Sequence, residues 1–213
     1  MAELQPDEAG LSGVRRILQE WLADADGALN RKRISDTNIH DARKRLKKSR
    51  AALRLLREAI GEISYRRENT ALRDAARPLG VARDSKVLSA ALDDLVERYD
   101  SALRSLKLDK FRRVLRRQQA STRQAITLTL VNRQRKALRE VKRRSARWIM
   151  KGDDWQVIGA GLERMYRGGN KRMKAAASSR ASEDLHDWRK QVKYLWHQLQ
   201  ILQPAWPGPL GEL

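Results

Sequence analysis

The sequence predicts an all-α protein, and three observations support this fold class. Gly and Pro are scarce, with 12 and 5 residues among 213. Runs of β-branched residues are nearly absent, and the helix-favouring residues Ala, Leu, Arg, Lys and Glu dominate the chain. Hydrophobic residues make up 41% of the sequence, which is enough to bury a core in a chain of this length. We therefore expect a folded helical protein without a β-sheet.

Glycine, proline and short polar clusters divide the chain into about seven predicted helices. The predicted bounds of the well-separated helices are residues 11–33, 39–62, 66–77, 84–99, 155–177 and 183–203. Asn38 and Asp84 are the predicted N-caps of the second and fourth helices, and Pro78 is expected to end the third. Residues 102–151 show helical spacing without a strong breaker, so they form either one long helix or two helices with a subtle joint.

The second predicted helix carries a core-facing stripe beside a cationic one. The core-facing positions recur at steps of three and four, and they are Ile39, Ala42, Leu46, Ser49, Leu53, Leu56 and Ile60. The cationic positions follow one residue later, and they are His40, Arg43, Lys47, Arg50, Arg54 and Arg57. One residue is about 100° around a helix, so the cationic stripe flanks the buried stripe and is expected to line a groove between helices. A groove concentrates the electrostatic field more than a convex face does.

The segment at 102–151 is also strongly basic. Its cations are Arg112, Arg113, Arg116, Arg117, Arg123, Arg133, Arg135, Lys136, Arg139, Lys142, Arg143, Arg144 and Arg147. Glu140 is the only acid between Arg112 and Asp153, so ion pairs within a helix cannot account for this run. We interpret most of these residues as a solvated charged face.

The net charge is +20, from 46 Lys and Arg against 26 Asp and Glu, and it indicates a polyanionic partner or surface. Nucleic acid, phosphorylated polymer, anionic lipid and acidic protein fit this charge. The absence of Cys excludes disulfide scaffolds, thiolate nucleophiles and cysteine zinc sites. The first residues do not resemble a secretory signal, and no apolar run reaches the roughly 18 residues of a membrane span. We expect a cytoplasmic protein.

Part of the second predicted helix recurs near the end of the chain. Residues 39–44 read Ile-His-Asp-Ala-Arg-Lys and residues 185–190 read Leu-His-Asp-Trp-Arg-Lys, an offset of 146 residues. In this register the residues shared with the second copy are His40, Asp41, Arg43, Lys44, Lys47, Leu53 and Leu56. Two copies of one basic helix predict two pseudo-symmetric helical halves, at residues 1–151 and 152–213.

These paired helices resemble the CHAD domain, a family whose name stands for conserved histidine α-helical domain. The resemblance is carried by residues 39–47 and 185–193, and by residues 79–88, which are similar to the family's Arg-Asp turn and contain Arg83 and Asp84. It implies two similar helical bundles around a basic cavity that binds inorganic polyphosphate. Members of the family occur alone or joined to a CYTH-type triphosphatase domain, and some associate with polyphosphate granules.

The second copy departs from this pattern in two ways. Its residues at the positions of Arg50, Arg54 and Arg57 are Trp196, Gln200 and Gln203, so its cationic stripe stops after Lys193. No second Arg-Asp turn follows, so we expect a shortened second half. A helix without its partner exposes part of its apolar stripe. We therefore expect either self-association of the chain or a tail at 204–213 that folds back as a cover.

Other chemistries fit the residues less well. His186 and His197 lie roughly 16 Å apart along one helix, too far to share a zinc ion. The histidines either bind anion or donate a hydrogen bond that fixes helix packing. The His-Asp pairs also suggest the HD-type metal-dependent phosphohydrolases, but no His precedes His40 and no Asp follows Asp187, as that motif requires. Non-specific nucleic-acid binding is the main alternative, although aromatic residues are only 5% of the chain and bases stack on such residues.

We predict non-catalytic binding of inorganic polyphosphate in an Arg- and Lys-lined groove. The alternatives are non-specific nucleic-acid binding and an accessory role beside a CYTH-type triphosphatase. The predicted binding residues are His40, Arg43, Lys44, Lys47, Arg50, Arg54, Arg83, His186, Arg189, Lys190 and Lys193. We expect no metal or cofactor. The expected partners are polyphosphate, nucleic acid bound non-specifically and a second copy of the chain, and the expected location includes polyphosphate granules.

Overall fold

The computed structural model describes residues 3–5, 7–99, 103, 106 and 108–210, and this part of the chain contains helices and no strand. The helices are α1 (Gly10–Leu29), α2 (Asp36–Leu55), α3 (Arg57–Ile60), α4 (Glu62–Arg98), α5 (Leu108–Gln124), α6 (Leu128–Ser145), α7 (Asp154–Ser179), α8 (Ser182–Leu202) and α9 (Pro207–Leu210), with a 3-10 turn at Gln203–Ala205. The all-α prediction is confirmed. None of the described helices combines the length and the apolar character needed to cross a bilayer.

The core lies mainly between α1 and α2, which pack along each other. Leu18 of α1 and Leu46 of α2 are fully buried there, together with Leu72 of α4 and Leu138 of α6. The predicted core-facing stripe of α2 is therefore in the core. The second hairpin, α7 and α8, packs onto this body because α8 lies against α2 and the first turns of α7 contact α1, α2 and α3.

The start of α2 differs from the prediction by one turn. Ser35 is the N-cap, and its side chain accepts a hydrogen bond from the backbone N–H of Asn38. The Asn38 side chain accepts the backbone N–H of Ser35 in return, at 2.9 Å, so the two residues form a capping box. The prediction of Asn38 as the N-cap was wrong because Ser35 caps the helix three residues earlier, and the Asn38 side chain instead satisfies the backbone N–H of Ser35.

The prediction that Pro78 ends a helix was also wrong, because α4 runs through it from Glu62 to Arg98. An internal proline costs about 3 kcal/mol through its missing N–H and its ring. Leu72 and Leu79, on either side of it, are fully buried, and each contributes about 1.5–3 kcal/mol by leaving water. Burial therefore outweighs the local penalty. Arg83 and Asp84 consequently lie inside a helix, and Asp84 does not cap one.

Of the two alternatives for residues 102–151, the structure contains two helices, α5 and α6, where the chain is described. The joint is at residues 125–127. Thr127 is the N-cap of α6 and its side chain accepts the backbone N–H of Leu130 at 3.1 Å. Residues 102, 104, 105 and 107, at the start of the predicted segment, lie outside the described residues.

Candidate anion-binding surface

The two helices that carry the sequence repeat are direct neighbours. The side-chain amide of Gln198 on α8 donates a hydrogen bond to the backbone carbonyl of Ala51 on α2, at 3.1 Å. The ring of Tyr194 on α8 lies under the guanidinium of Arg54 on α2, with 3.9 Å between the Arg54 Cζ and the ring centroid. These contacts bring the cationic residues of the two copies onto one surface.

Lys47 is at the centre of this surface. Partial burial lowers the pKa of the Lys47 ammonium, and repulsion from Arg43, Lys193 and Arg189 lowers it further, against attraction from Asp84. Lys47, Arg189 and Lys193 form no ion pair with any described residue. We call Arg43, Lys47, Arg189 and Lys193 the α2–α8 cationic cluster. Its members come from equivalent positions of the two copies, because the offset of 146 residues relates Arg43 to Arg189 and Lys47 to Lys193.

Arg43 is held in place by α4. Its Nη1 donates hydrogen bonds to the carbonyls of Leu79, at 3.1 Å, and Gly80, and lies 3.4 Å from an Asp84 carboxylate oxygen. These contacts use one nitrogen of the guanidinium. The Nε and Nη2 groups make no hydrogen bond with the described residues, so Arg43 combines a fixed position with free donors. The Arg-Asp segment of α4 thus acts as a support for Arg43 rather than as a turn.

Arg50 and Arg54 are more committed to packing than the sequence predicts. The Arg50 Nε donates to the Asn69 side-chain oxygen at 3.1 Å, and burial lowers the pKa of Arg50, with Arg54 adding repulsion. The Arg54 Nη1 donates to the Arg50 carbonyl at 2.7 Å. Both guanidinium groups lie over Tyr194. These residues join α2 to α8 at one end of the cluster.

The remaining predicted residues surround the cluster or lie away from it. His40, Lys44 and His186 are exposed, and neither histidine makes a hydrogen bond with the described residues, so the packing role proposed for them finds no support. Lys190 pairs with Asp187 at 2.6 Å. Arg83 is half-buried and lies near Asp36, the carboxylate that also receives a hydrogen bond from Lys86 at 2.7 Å.

Two residues beside the cluster were missed by sequence reasoning. Lys48 is 7% exposed, forms no ion pair with the described residues, and lies 5.3 Å from the centroid of the Trp21 ring. His197 is also 7% exposed. Burial lowers the pKa of His197, a hydrogen bond with Gln200 at 3.2 Å opposes this shift, and repulsion from Lys48, Lys193 and Lys47 adds to it. The repeat does not reveal either residue, because the second copy has Tyr194 where the first has Lys48, and the first has Ala51 where the second has His197.

Many of the other cations neutralise acids on neighbouring helices. Arg135 of α6 lies 2.9 Å from Asp26 of α1. Arg144 makes two hydrogen bonds to Glu68, whose side chain is fully buried. Long-range ion pairs of this kind explain part of the basic run that pairing within helices cannot. Exposed cations such as Arg133 and Lys136 form no ion pair with the described residues.

The chemistry available at the cluster is the binding of anionic oxygens. Ammonium and guanidinium groups donate charge-assisted hydrogen bonds to phosphate. Among the described residues no three His, Asp or Glu side chains gather in a way that would hold a metal ion.

A model of the CHAD domain family matches residues 12–213. The chain belongs to the CHAD family. Both repeat helices of this CHAD domain lie within the match, which confirms the resemblance drawn from them. A comparison with curated proteins finds no match.

Proposed function

We propose that this CHAD domain binds inorganic polyphosphate through the α2–α8 cationic cluster, without catalysis of its own. The observation that carries the proposal is the set of cations around Lys47, which come from both copies of the repeat and are opposed mainly by Asp84. Membership of the CHAD family supports polyphosphate as the polyanion. The proposal includes two related halves, residues 1–151 and 152–213, and each half contributes one repeat helix to a shared groove. It also includes a location at polyphosphate granules in the cytoplasm.

The cluster is arranged at an energetic cost that an anion relieves. Like charges repel, although water and salt weaken the repulsion between exposed side chains such as Lys47, Arg189 and Lys193. The fold keeps Lys47 near three other cations, so this arrangement lowers the stability of the protein when no anion is bound. A phosphate chain laid across the cluster replaces repulsion with attraction. Polyphosphate suits the site because it carries a charge on every unit and has no bases to accommodate.

Single-stranded nucleic acid is the second candidate, and one observation favours it. Trp196 is 40% exposed, and its ring centroid lies 4.9 Å from that of His197, so an aromatic surface borders the cluster. A base stacked on such a surface contributes about 1–3 kcal/mol. The cluster itself contains no exposed aromatic side chain, since Tyr194 lies beneath Arg54.

Competition for labelled long-chain polyphosphate separates the two candidates. Unlabelled polyphosphate and single-stranded DNA are compared at equal phosphate concentration and near-physiological salt, because the affinity of either polyanion depends steeply on salt. We expect polyphosphate to compete at a concentration at least tenfold lower, and Trp196→Ala to leave its binding unchanged. Equal competition by DNA, together with loss of DNA binding in Trp196→Ala, would favour the nucleic-acid candidate.

A further inference from the structure

The outer side of α6 carries a row of exposed cations. Because each residue advances about 100° around a helix, Arg133, Lys136 and Arg139 lie within about 60° of one line along α6. Arg143 lies one turn after Arg139, close to the same line. All four residues are exposed, and the opposite side of α6 packs on α1 and α4. We call this surface the α6 cationic face: Arg133, Lys136, Arg139 and Arg143.

The cations at the edges of this face are neutralised by the body of the protein. Arg135 and Arg144 lie about 80–100° to either side of the line. Arg135 is 2.9 Å from Asp26 of α1, and Arg144 is 2.7 Å from the buried Glu68 of α4. The fold therefore places an acid opposite the α6 cations that meet a neighbouring helix, and the excess positive charge of α6 is on its outer side.

This outer side differs from the exposed faces of other helices in its charge pattern. Several exposed arginines on α4 and α7 have an acid one turn away on the same helix: Arg66 with Glu62, Arg98 with Asp94, and Arg167 with Glu163. On the α6 cationic face Arg143 pairs with Glu140 at 2.6 Å, and the other three cations form no ion pair with a described residue. Solvated helix faces commonly mix the two signs. A face of one sign indicates an anionic partner.

We propose that the α6 cationic face binds the phosphate backbones of duplex DNA. An α-helix with its side chains is about 10–12 Å wide, and the major groove of B-form DNA is about 12 Å wide. Arg133 and Arg139 are about 120° apart around α6, with Lys136 between them. This spacing lets the two arginines reach the two backbones that border the groove. Guanidinium groups suit this role because their planar donors match phosphate oxygens.

The composition and shape of α6 favour duplex DNA over other polyanions. A helix that binds a membrane surface inserts apolar side chains among the lipids. The apolar side chains in the middle of α6, Val131, Leu138 and Val141, are 2%, 1% and 0% exposed because they pack in the core. A flexible acidic peptide loses conformational entropy when it is ordered on a convex face, whereas a duplex is rigid before it binds.

The α6 cationic face and the α2–α8 cationic cluster are on different helices. Helix α6 packs against α1 and α4, whereas α8 packs against α2 and α7. The two surfaces share no residue, so the inference does not rest on polyphosphate binding. The chain is expected to hold both polyanions at once.

The test measures binding of the full chain to labelled duplex DNA of about 20 base pairs, or two helical turns, by fluorescence anisotropy at several salt concentrations. Arg133→Glu with Arg139→Glu should lose about tenfold or more in affinity near physiological salt. The slope of log affinity against log salt should fall by about two, because each neutralised phosphate contributes about 0.9. The matched control, Lys171→Glu with Lys174→Glu, makes the same charge change at two exposed residues of α7. It should lose no more than about threefold, with its slope unchanged.

Two further measurements separate a lost contact from a lost fold. The neutral pair Arg133→Gln with Arg139→Gln adds no acids and should lower the salt slope by the same amount. Polyphosphate affinity should be retained in both α6 pairs, because they lie outside the α2–α8 cationic cluster.

The geometry also predicts which polyanions compete. Duplex RNA should compete about tenfold less well than duplex DNA, because the major groove of A-form RNA is too narrow for side chains to enter. Equal losses in the α6 and α7 glutamate pairs, or equal competition by duplex RNA, would overturn the proposal. Binding to vesicles of phosphatidylcholine with phosphatidylglycerol but not to duplex DNA would also overturn it.

Discussion

Partial burial lowers the pKa of Lys47, and repulsion from Lys193 lowers it further, although the two residues are 146 positions apart and occupy equivalent places in the two copies of the repeat. The repeat therefore brings like charges together. A fold selected only for stability would separate them or insert an acid between them. Retention of such a cluster is typical of a site whose ligand supplies the missing charge.

Removing one of these charges should make the free protein more stable. Replacing Lys47 by Met keeps the length of the side chain and relieves its repulsion from Arg43 and Lys193. We expect the free energy of unfolding in urea to rise by about 0.5–1 kcal/mol, while polyphosphate affinity falls. The control Arg133→Met, at an exposed position without an ion pair among the described residues, should change stability by no more than about 0.5 kcal/mol. A Lys47→Met protein less stable than wild type would show that the cluster is not under electrostatic strain.

His197 should make stability depend on pH near neutrality. Burial lowers its pKa in the folded state, with Lys48, Lys193 and Lys47 adding repulsion, so the unfolded chain binds the proton more tightly. The contribution of His197 to the free energy of unfolding is fully present above about pH 6.5, the pKa of His in the unfolded chain. It is lost as the pH falls from there toward the lower pKa of His197 in the folded protein. Urea unfolding between pH 8 and pH 5 should show this loss, and His197→Gln should reduce it.

Bound polyphosphate should have the opposite effect on the same residue. Negative charge beside His197 favours the imidazolium, so we expect the pKa of His197 to rise when polyphosphate is added. A proton NMR titration of the His197 ring with and without polyphosphate measures this. An unchanged His197 titration in the presence of saturating polyphosphate would place the ligand away from the α2–α8 cationic cluster.

Glu68 gives a contrasting case in which arginine serves structure. Its fully buried carboxylate receives two hydrogen bonds from Arg144 and one from Arg67. Glu68→Gln should lower the free energy of unfolding by about 2–3 kcal/mol, because it removes the buried charge that faces Arg144 and leaves this arginine only the Glu140 carboxylate, 3.6 Å away. Arg144 is 29% exposed, which keeps the cost below that of a fully buried pair. Polyphosphate affinity should be unchanged in the folded protein, and a large loss would indicate that Arg144 lies in the binding surface.

Helical periodicity and composition predicted most of the fold, because stripes at three- and four-residue steps depend only on local geometry. The passage of α4 through Pro78 was not predictable locally. It depends on the burial of Leu72 and Leu79 against helices that are distant in sequence. The internal repeat pointed to Lys47 and Lys193. It gave no sign of Lys48 or His197, whose position beside the cluster depends on the packing of α8 against α2.

The central claim is that the α2–α8 cationic cluster, and not total charge, binds polyphosphate. Two charge-reversal variants with identical net charge test it: Lys47→Glu with Lys193→Glu inside the cluster, and Arg133→Glu with Lys136→Glu on α6. Charges in solution are screened over about 8 Å at physiological salt, so the α6 variant should lose no more than about threefold in affinity. The cluster variant should lose at least a hundredfold, which is about 2.7 kcal/mol, with helical content unchanged by circular dichroism. Equal losses in the two folded variants would contradict this claim and would indicate that polyphosphate binding depends on the total charge of the helical protein.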